Sequence, residues 1–193
     1  MIKRESLLPL ERYARERDAF RARVMEHKKQ RTVHLGEHLT LHFEDELTMR
    51  YQVQEMLRVE RIFEEEGIAD ELQAYNPLVP DGANWKATMM IEYPDEAERQ
   101  EMLGKLIGIE DRVWVEVRGH ARVYAIADED LERETEDKTA SVHFLRFELA
   151  PAMVAALKGG ASVAAGVDHP EYAATRSPVD AAVAASLVND LTG

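Results

Sequence analysis

The spacing of apolar positions changes several times along this chain, and each change predicts an element. Leu10, Tyr13, Phe20 and Val24 recur at helical spacing among dense charges, with Arg17 interrupting the stripe. Ser6 is read as the cap of a first short turn containing Pro9, and Asp18 as the cap of a second helical segment running through Lys29. Residues 31–44 switch to strict alternation, which predicts a β-hairpin. A three-residue Gly36-Glu37-His38 loop sets Val33 opposite Leu41 and Leu35 opposite Leu39, so four apolar side chains share one face. Helical spacing returns in residues 43–66, where Leu47, Tyr51, Met56, Val59, Ile62 and Phe63 recur, and Gly67 is read as the stop.

A brief helix over Asp70–Tyr75 and a stiff loop, Asn76-Pro77-Leu78-Val79-Pro80-Asp81-Gly82-Ala83-Asn84, lead to a strand over Trp85–Tyr93. Pro94 suits the first turn of a helix stopped by Gly108. Val113–Val117 and Arg122–Ile126 alternate about Gly119-His120 as a second hairpin. After the acidic stretch Asp128–Asp137 come a strand over Ser141–Leu149, a short helix from Pro151 to Gly159-Gly160 and a weak strand over Ala161–Val167. Ser177 is read as the cap of a last helix with Pro178 at its first position and Val179, Val183, Leu187 and Leu191 on one side. Hairpins outnumber βαβ units, so the expected class is α+β: a mostly antiparallel sheet of hairpins packed against a long central helix, with helical N- and C-terminal segments. Residues 1–173 are read as a single α+β domain and 174–193 as a peripheral C-terminal helix.

Composition narrows the chemistry. Of 193 residues, 45% are hydrophobic and 32% charged, enough for a core, and the net charge is −13. That field repels phosphate backbones and anionic lipid, so neither nucleic acid nor a membrane is expected as a partner. The longest apolar run falls far short of the roughly 20 residues that span a bilayer, and no signal peptide is read in MIKRES, so the expected location is cytoplasmic. Cysteine is absent, which removes disulfides, zinc-thiolate sites, cysteine-ligated clusters and a thiol nucleophile. A metal would need histidine and carboxylate.

Three sets of residues carry candidate chemistry. His34, His42 and Glu44 fall on one polar face of the predicted hairpin and form the ligand set of a non-heme metal, although a solvated face with scattered histidines has the same pattern. Glu55 interrupts the apolar side of the central helix and needs a cation such as Arg58. His143 shares its face with Leu145, Phe147 and Leu149; it is read as a hydrogen-bonded core histidine, or as a general base paired with Glu55 or a neighbouring acid. Asn84, Trp85 and Lys86 follow the stiff loop and suit a ligand lid, unless Trp85 plugs the core beneath it. The acidic stretch lacks calcium-loop spacing, and no P-loop, dinucleotide, serine-hydrolase, H-E-x-x-H or E-x-x-H pattern occurs.

The words FEDELTMRYQVQEMLRVERIFEEEGI, AYNPLVPDGANWKATMMIEY, GIEDRVWVEV, VYAIADEDLERETEDKTASVHFLRFEL and DHPEY resemble the DUF3501 family of bacterial proteins. The resemblance runs from about Leu10 to Tyr172, and the tail after Ala173 departs from it. It implies no settled activity and no agreed catalytic residue. It does imply a setting, because members are often encoded beside rubrerythrin-like and iron–sulfur oxidoreductase-like proteins: peroxide defence or electron transfer. The expected function is therefore a non-catalytic accessory or binding protein for a redox partner, with self-association left open. The competing readings are a small enzyme using His143 and Glu55, with or without a metal, and a small-molecule binder closed by the 76–86 loop.

Overall fold

The computed structural model describes residues 1–192 and resolves two antiparallel sheets and six α-helices among them. Helix α1 (Leu10–Lys29) is one continuous helix, the longest of the six, and Asp18 lies inside it. Its first turn follows Pro9, which supplies no N–H where none is needed, and the intrahelical pair Arg12–Glu16 supports its exposed side. Strands β1 (Thr32–Leu35) and β2 (Leu39–Glu44) form the hairpin in the register read from the sequence, Val33 opposite Leu41 and Leu35 opposite Leu39. Gly36 takes φ +73° in the turn, and a Cβ there would collide with the Tyr172 hydroxyl.

The long central helix is two shorter ones. Asp45 caps α2 (Glu46–Val59) in a reciprocal box with Thr48. The helix stops because Arg61 turns left-handed at φ +55° and the Ile62 N–H reaches back to the Leu57 carbonyl at 2.9 Å. After the turn, α3 (Glu65–Tyr75) contains Gly67 rather than ending there. Ile62 explains the glycine: its methyl would lie 2.7 Å from a Cβ at position 67. Met49, Val53 and Leu57 of α2 meet Ile2, Leu7 and Ile68 in a small helical core.

The first sheet has the order β1-β2-β3-β7-β6, with β3 (Asn84–Ile91), β6 (Ile126–Ala127) and β7 (Val142–Glu148). The second has the order β5-β4-β8-β9, with β4 (Val113–Val117), β5 (Val123–Tyr124), β8 (Val163–His169) and β9 (Tyr172–Arg176). The predicted strand over 122–126 is shared between them: β5 pairs with β4, β6 pairs with β7, and the Ala125 N–H between them bonds the Val113 carbonyl at 2.8 Å. Trp85, Met89, Leu145 and Phe147 of the first sheet and Val113, Val115, Ala165 and Val167 of the second bury into one core. Helix α4 (Glu96–Lys105), capped by Asp95, connects the sheets, and Gly108 follows it in a left-handed conformation. Helix α5 (Pro151–Lys158) contributes Val154 and Leu157 to the same core.

Helix α6 (Ala181–Val188) is not peripheral, because Val179, Val183, Leu187 and Leu191 all lie in that core. Its start also differs from the sequence reading. The Val179 N–H is held by the Val163 carbonyl at 2.8 Å and residues 177–178 form a bend, so Asp180 rather than Ser177 precedes the first turn.

A buried guanidinium fastens this helix. Arg31 is 2% exposed; its Nε donates to the Phe43 carbonyl at 2.9 Å and its Nη2 to the Glu44 carbonyl at 3.2 Å and to Asp190 Oδ2 at 2.5 Å. Its Nη1 donates to Ser186 Oγ at 3.2 Å, and the cap Asp45 stands 3.5 Å from its Nε. Replacing it leaves Asp190 and Asp45 short of their cation. Arg31→Met is expected to cost about 3–5 kcal/mol in urea unfolding, and Arg31→Lys a smaller part of that, since an ammonium cannot reproduce the planar fork. A loss under about 1 kcal/mol in Arg31→Met would show that the cluster is not holding the fold.

Candidate functional site

The residues singled out from sequence separate into four places. Glu55 projects from α2 toward α1, where Arg17 clamps it with Nε at 2.7 Å and Nη2 at 2.9 Å, and the Tyr13 hydroxyl donates at 2.7 Å. Arg58 adds a single longer bond at 3.2 Å, so it is the lesser partner. The Arg17 guanidinium pulls the Glu55 carboxyl down to about 2 against the opposing effect of burial, with Tyr13 and Arg58 helping. A carboxylate so strongly held as an anion is a helix–helix fastener and a poor general base. Both breaks in the apolar stripes were visible in the sequence, Arg17 in α1 and Glu55 in α2. They answer each other.

His34 and His42 do share the outer face of the hairpin with Glu44, but each is taken up locally. His34 Nδ1 lies 3.2 Å from Thr40 Oγ1, His42 Nδ1 lies 3.3 Å from Thr32 Oγ1, and Glu44 Oε1 accepts from Thr88 Oγ1 at 2.8 Å, while Glu44 Oε2 is buried without a hydrogen-bond partner. Among the described residues, the one group of three histidine and carboxylate ligand atoms close enough to share an ion is elsewhere, so the proposed hairpin metal set is not assembled. Strand pleat places these side chains on one face; cross-strand neighbours decide where each tip goes.

That group surrounds His143. The β3–β7 register, Met89 opposite His143, turns the imidazole inward, where it is completely buried. Its Nδ1 lies 2.5 Å from Asp128 Oδ2. Asp128 itself sits at φ +48° just after β6, and its Oδ1 accepts from the Phe144 N–H and from Arg133, each at 3.0 Å. The other ring nitrogen, Nε2, faces Thr139 Oγ1 at 2.8 Å, the Ala140 carbonyl at 3.0 Å and Glu110 Oε2 at 4.0 Å. Glu110 stands in the short 3-10 turn Ile109–Arg112 after α4, buried, with Oε2 meeting no hydrogen-bond partner. Burial pushes its carboxyl up to about 7, and the neighbouring Glu134 adds to that push both by its charge and by a hydrogen bond between the two side chains. His143 is thus paired with an acid, but the acid is Asp128, not Glu55. The acidic stretch contained that partner, and only the left-handed turn at Asp128 aims it inward.

The stiff loop borders an open groove of about 890 Å³. Asn84 and Lys86 face it, while Trp85, between them on the strand, points the other way. Trp85 is fully buried, its Nε1 donating to the Leu187 carbonyl at 2.9 Å, so it plugs the core and cannot stack on a ligand. Asn84 receives the Asp81 N–H at 3.1 Å and donates to Glu148 at 3.3 Å. On the groove floor Arg146 is saturated by Glu129, at 2.8 and 2.9 Å, and by Glu148 at 2.5 Å. Lys86, which pairs in register with Arg146, has no hydrogen bond and no ion pair within 4.0 Å among the described residues. Partial burial, and then the Arg146 charge beside it, lower its pKa below the ordinary lysine range.

Comparison with known proteins agrees on kinship and offers no activity. A family model described as "Protein of unknown function (DUF3501)" matches residues 1–191, so the C-terminal helix falls inside the family pattern as well. No curated protein matches the chain. A crystal structure of a novel protein of unknown function from Burkholderia pseudomallei is similar at 57% identity, with a TM-score of 0.94 over 99% of this chain and 99% of that one.

The Arg17–Glu55 clamp makes a pH-dependent contribution. Because the folded carboxyl lies near 2 rather than 4.5, its stabilisation is complete above about 4.5 and is lost as pH falls toward 2. Glu55→Gln should cost about 1 kcal/mol at neutral pH, given that the clamp is partly solvated. The melting temperatures of the two proteins should converge between pH 4.5 and 2. A gap that stays constant across that range would remove the ion pair as its cause.

Proposed function

We propose that this chain, which belongs to the DUF3501 family, is a non-catalytic binding protein whose ligand lies in the groove beside residues 76–86 and sets an anionic group on Lys86. One observation carries this reading: the Lys86 ammonium is left without a partner in a groove that Asp81, Glu129, Asp130 and Glu148 also line. Each of these four acids is engaged elsewhere by a side chain or backbone group. Glu129 and Glu148 neutralise Arg146, Asp130 pairs with Arg133, and Asp81 accepts from the Ala83 N–H. A half-buried cation without a counterion is costly, and a ligand carboxylate, phosphate or sulfonate relieves that cost. The carboxylates around it favour a ligand that also carries a donor or a positive charge.

Catalysis is supported less well. The two acid/base candidates sit apart, Glu55 held by α1 and His143 sealed between the sheets, and neither lines the groove. Kinship supports a narrower setting, in which the protein serves a redox or peroxide-defence system of the rubrerythrin type, and the missing cysteine leaves any electron chemistry to that partner or to a bound group.

The test is a thermal-shift panel of small carboxylates, phosphates and sulfonates on the wild type and on Lys86→Met. A ligand at 100 times its Kd stabilises by about 2.7 kcal/mol, which for a chain of this size is a rise of roughly 5–10 °C. The expected result is a shift in the wild type that Lys86→Met abolishes while keeping its own melting cooperative. A shift that survives in Lys86→Met, or a panel with no hit, overturns the proposal.

A further inference from the structure

The polar atoms around His143 Nε2 outnumber the protons that the protein brings to them. The 2.5 Å contact with Asp128 assigns the Nδ1 proton to that hydrogen bond, which leaves Nε2 with a lone pair in the neutral ring. Three oxygens face this lone pair: Thr139 Oγ1 at 2.8 Å, the Ala140 carbonyl at 3.0 Å and Glu110 Oε2 at 4.0 Å. The threonine hydroxyl can contribute one proton to one of these contacts. A carbonyl and a carboxylate directed at an imidazole lone pair would otherwise repel it.

A second proton on Nε2 answers the carbonyl but not Glu110. That glutamate is 7% exposed, its Oε2 has no hydrogen-bond partner, and 4.0 Å is too long for a bond from Nε2. An ion between them reaches both. Ligand bonds of about 2.1 Å place adjacent ligands about 3.0 Å apart and opposite ones about 4.2 Å apart in an octahedral set. The distances 2.8, 3.0 and 4.0 Å from Nε2 follow that spacing.

We infer that Glu110, His143, Thr139 and the Ala140 carbonyl form an intramolecular site for one divalent transition-metal ion, with Asp128 as the positioning residue behind the imidazole. One nitrogen with oxygen donors suits Zn²⁺, Mn²⁺ or Fe²⁺, whereas Ca²⁺ requires more oxygens at longer distances. A carboxylate on the far nitrogen of a ligating histidine fixes its tautomer and orientation, which is the part Asp128 plays. The ion would fasten the Ile109–Arg112 turn to β7, inside the protein and away from the Lys86 groove. The proposal is therefore independent of the ligand reading, and the two fail separately.

The experiment uses the full chain stripped with chelator and titrated with Zn²⁺, Mn²⁺ and anaerobic Fe²⁺. Three readouts are elemental stoichiometry after desalting, melting temperature and the ¹⁵N shifts of the His143 ring. The expected result is one equivalent of at least one ion, a raised melting temperature and a perturbed Nε2 resonance. Asp128→Asn should weaken affinity about 10- to 100-fold, and Glu110→Gln, which preserves shape, should weaken it at least as much. Retention of the same ion by Glu110→Gln with unchanged affinity overturns the site. So does a wild-type ring that stays doubly protonated, or bridged by water alone, with no ion bound at millimolar concentration.

Discussion

The Arg31 guanidinium is the contact through which the separate parts of this chain meet. It stands between the end of α1 and β1, donates to carbonyls at the end of β2, lies beside the Asp45 cap of α2 and holds Asp190 beyond α6. Such a cation is tolerable at 2% exposure only because its donors are met. The acids feel the arrangement in opposite directions. Burial alone would raise Asp45, but Arg31, the Thr48 N–H and His27 together hold it down; at Asp190 burial prevails over Arg31 and the pKa rises. With this cluster in place α6 is committed to the core, and the Trp85 indole gains the carbonyl acceptor it needs at Leu187.

The same accounting of charge separates the other polar groups by role. Glu55 has Arg17, Tyr13 and Arg58 and is held as an anion, which makes it part of the framework. His169 is a satisfied core histidine, with Nε2 on the Ile107 carbonyl and Nδ1 receiving the Glu171 N–H. Lys86 and Glu110 Oε2 have no hydrogen-bond partner among the described residues, a state shared by Glu44 Oε2, Arg50 Nε, Trp114 Nε1 and Asp168 Oδ1. What sets Lys86 and Glu110 apart is their surroundings, an open groove for the one and the convergence of His143 and Asp128 for the other.

Much of the framework was legible before any coordinates. The hairpin register followed from the two-residue period, because a slip by one would have put Val33 and Leu35 on the opposite face from Leu39 and Leu41. The rigid 76–84 loop and its delivery of Lys86 were legible from proline and Asp-Gly chemistry, and alternation required Trp85 to oppose its two neighbours. The helix break at Arg61 was not legible, since a left-handed arginine carries no compositional signal and Gly67 offered a false one. Strand β9 was missed because Tyr172–Arg176 is short and mostly exposed; its place is secured by the Tyr172 hydroxyl bonding the Leu35 carbonyl at 2.6 Å. The candidate hairpin metal set failed for a related reason: a shared face does not imply a shared point.

The amino-acid sequence alone determined periodicities, turns, the absence of thiols, the net charge of −13 and which charges interrupt apolar stripes. These are local properties, set by backbone sterics and the alternation of side chains within a few residues. Tertiary structure alone decided which interruption meets which. Glu55 faces Arg17 across 38 positions of the chain, His143 faces Asp128 across 15, and Arg31 faces Asp190 across 159. Those pairings depend on how two sheets and six helices close on one another, and the strength of each depends on the burial that closure creates.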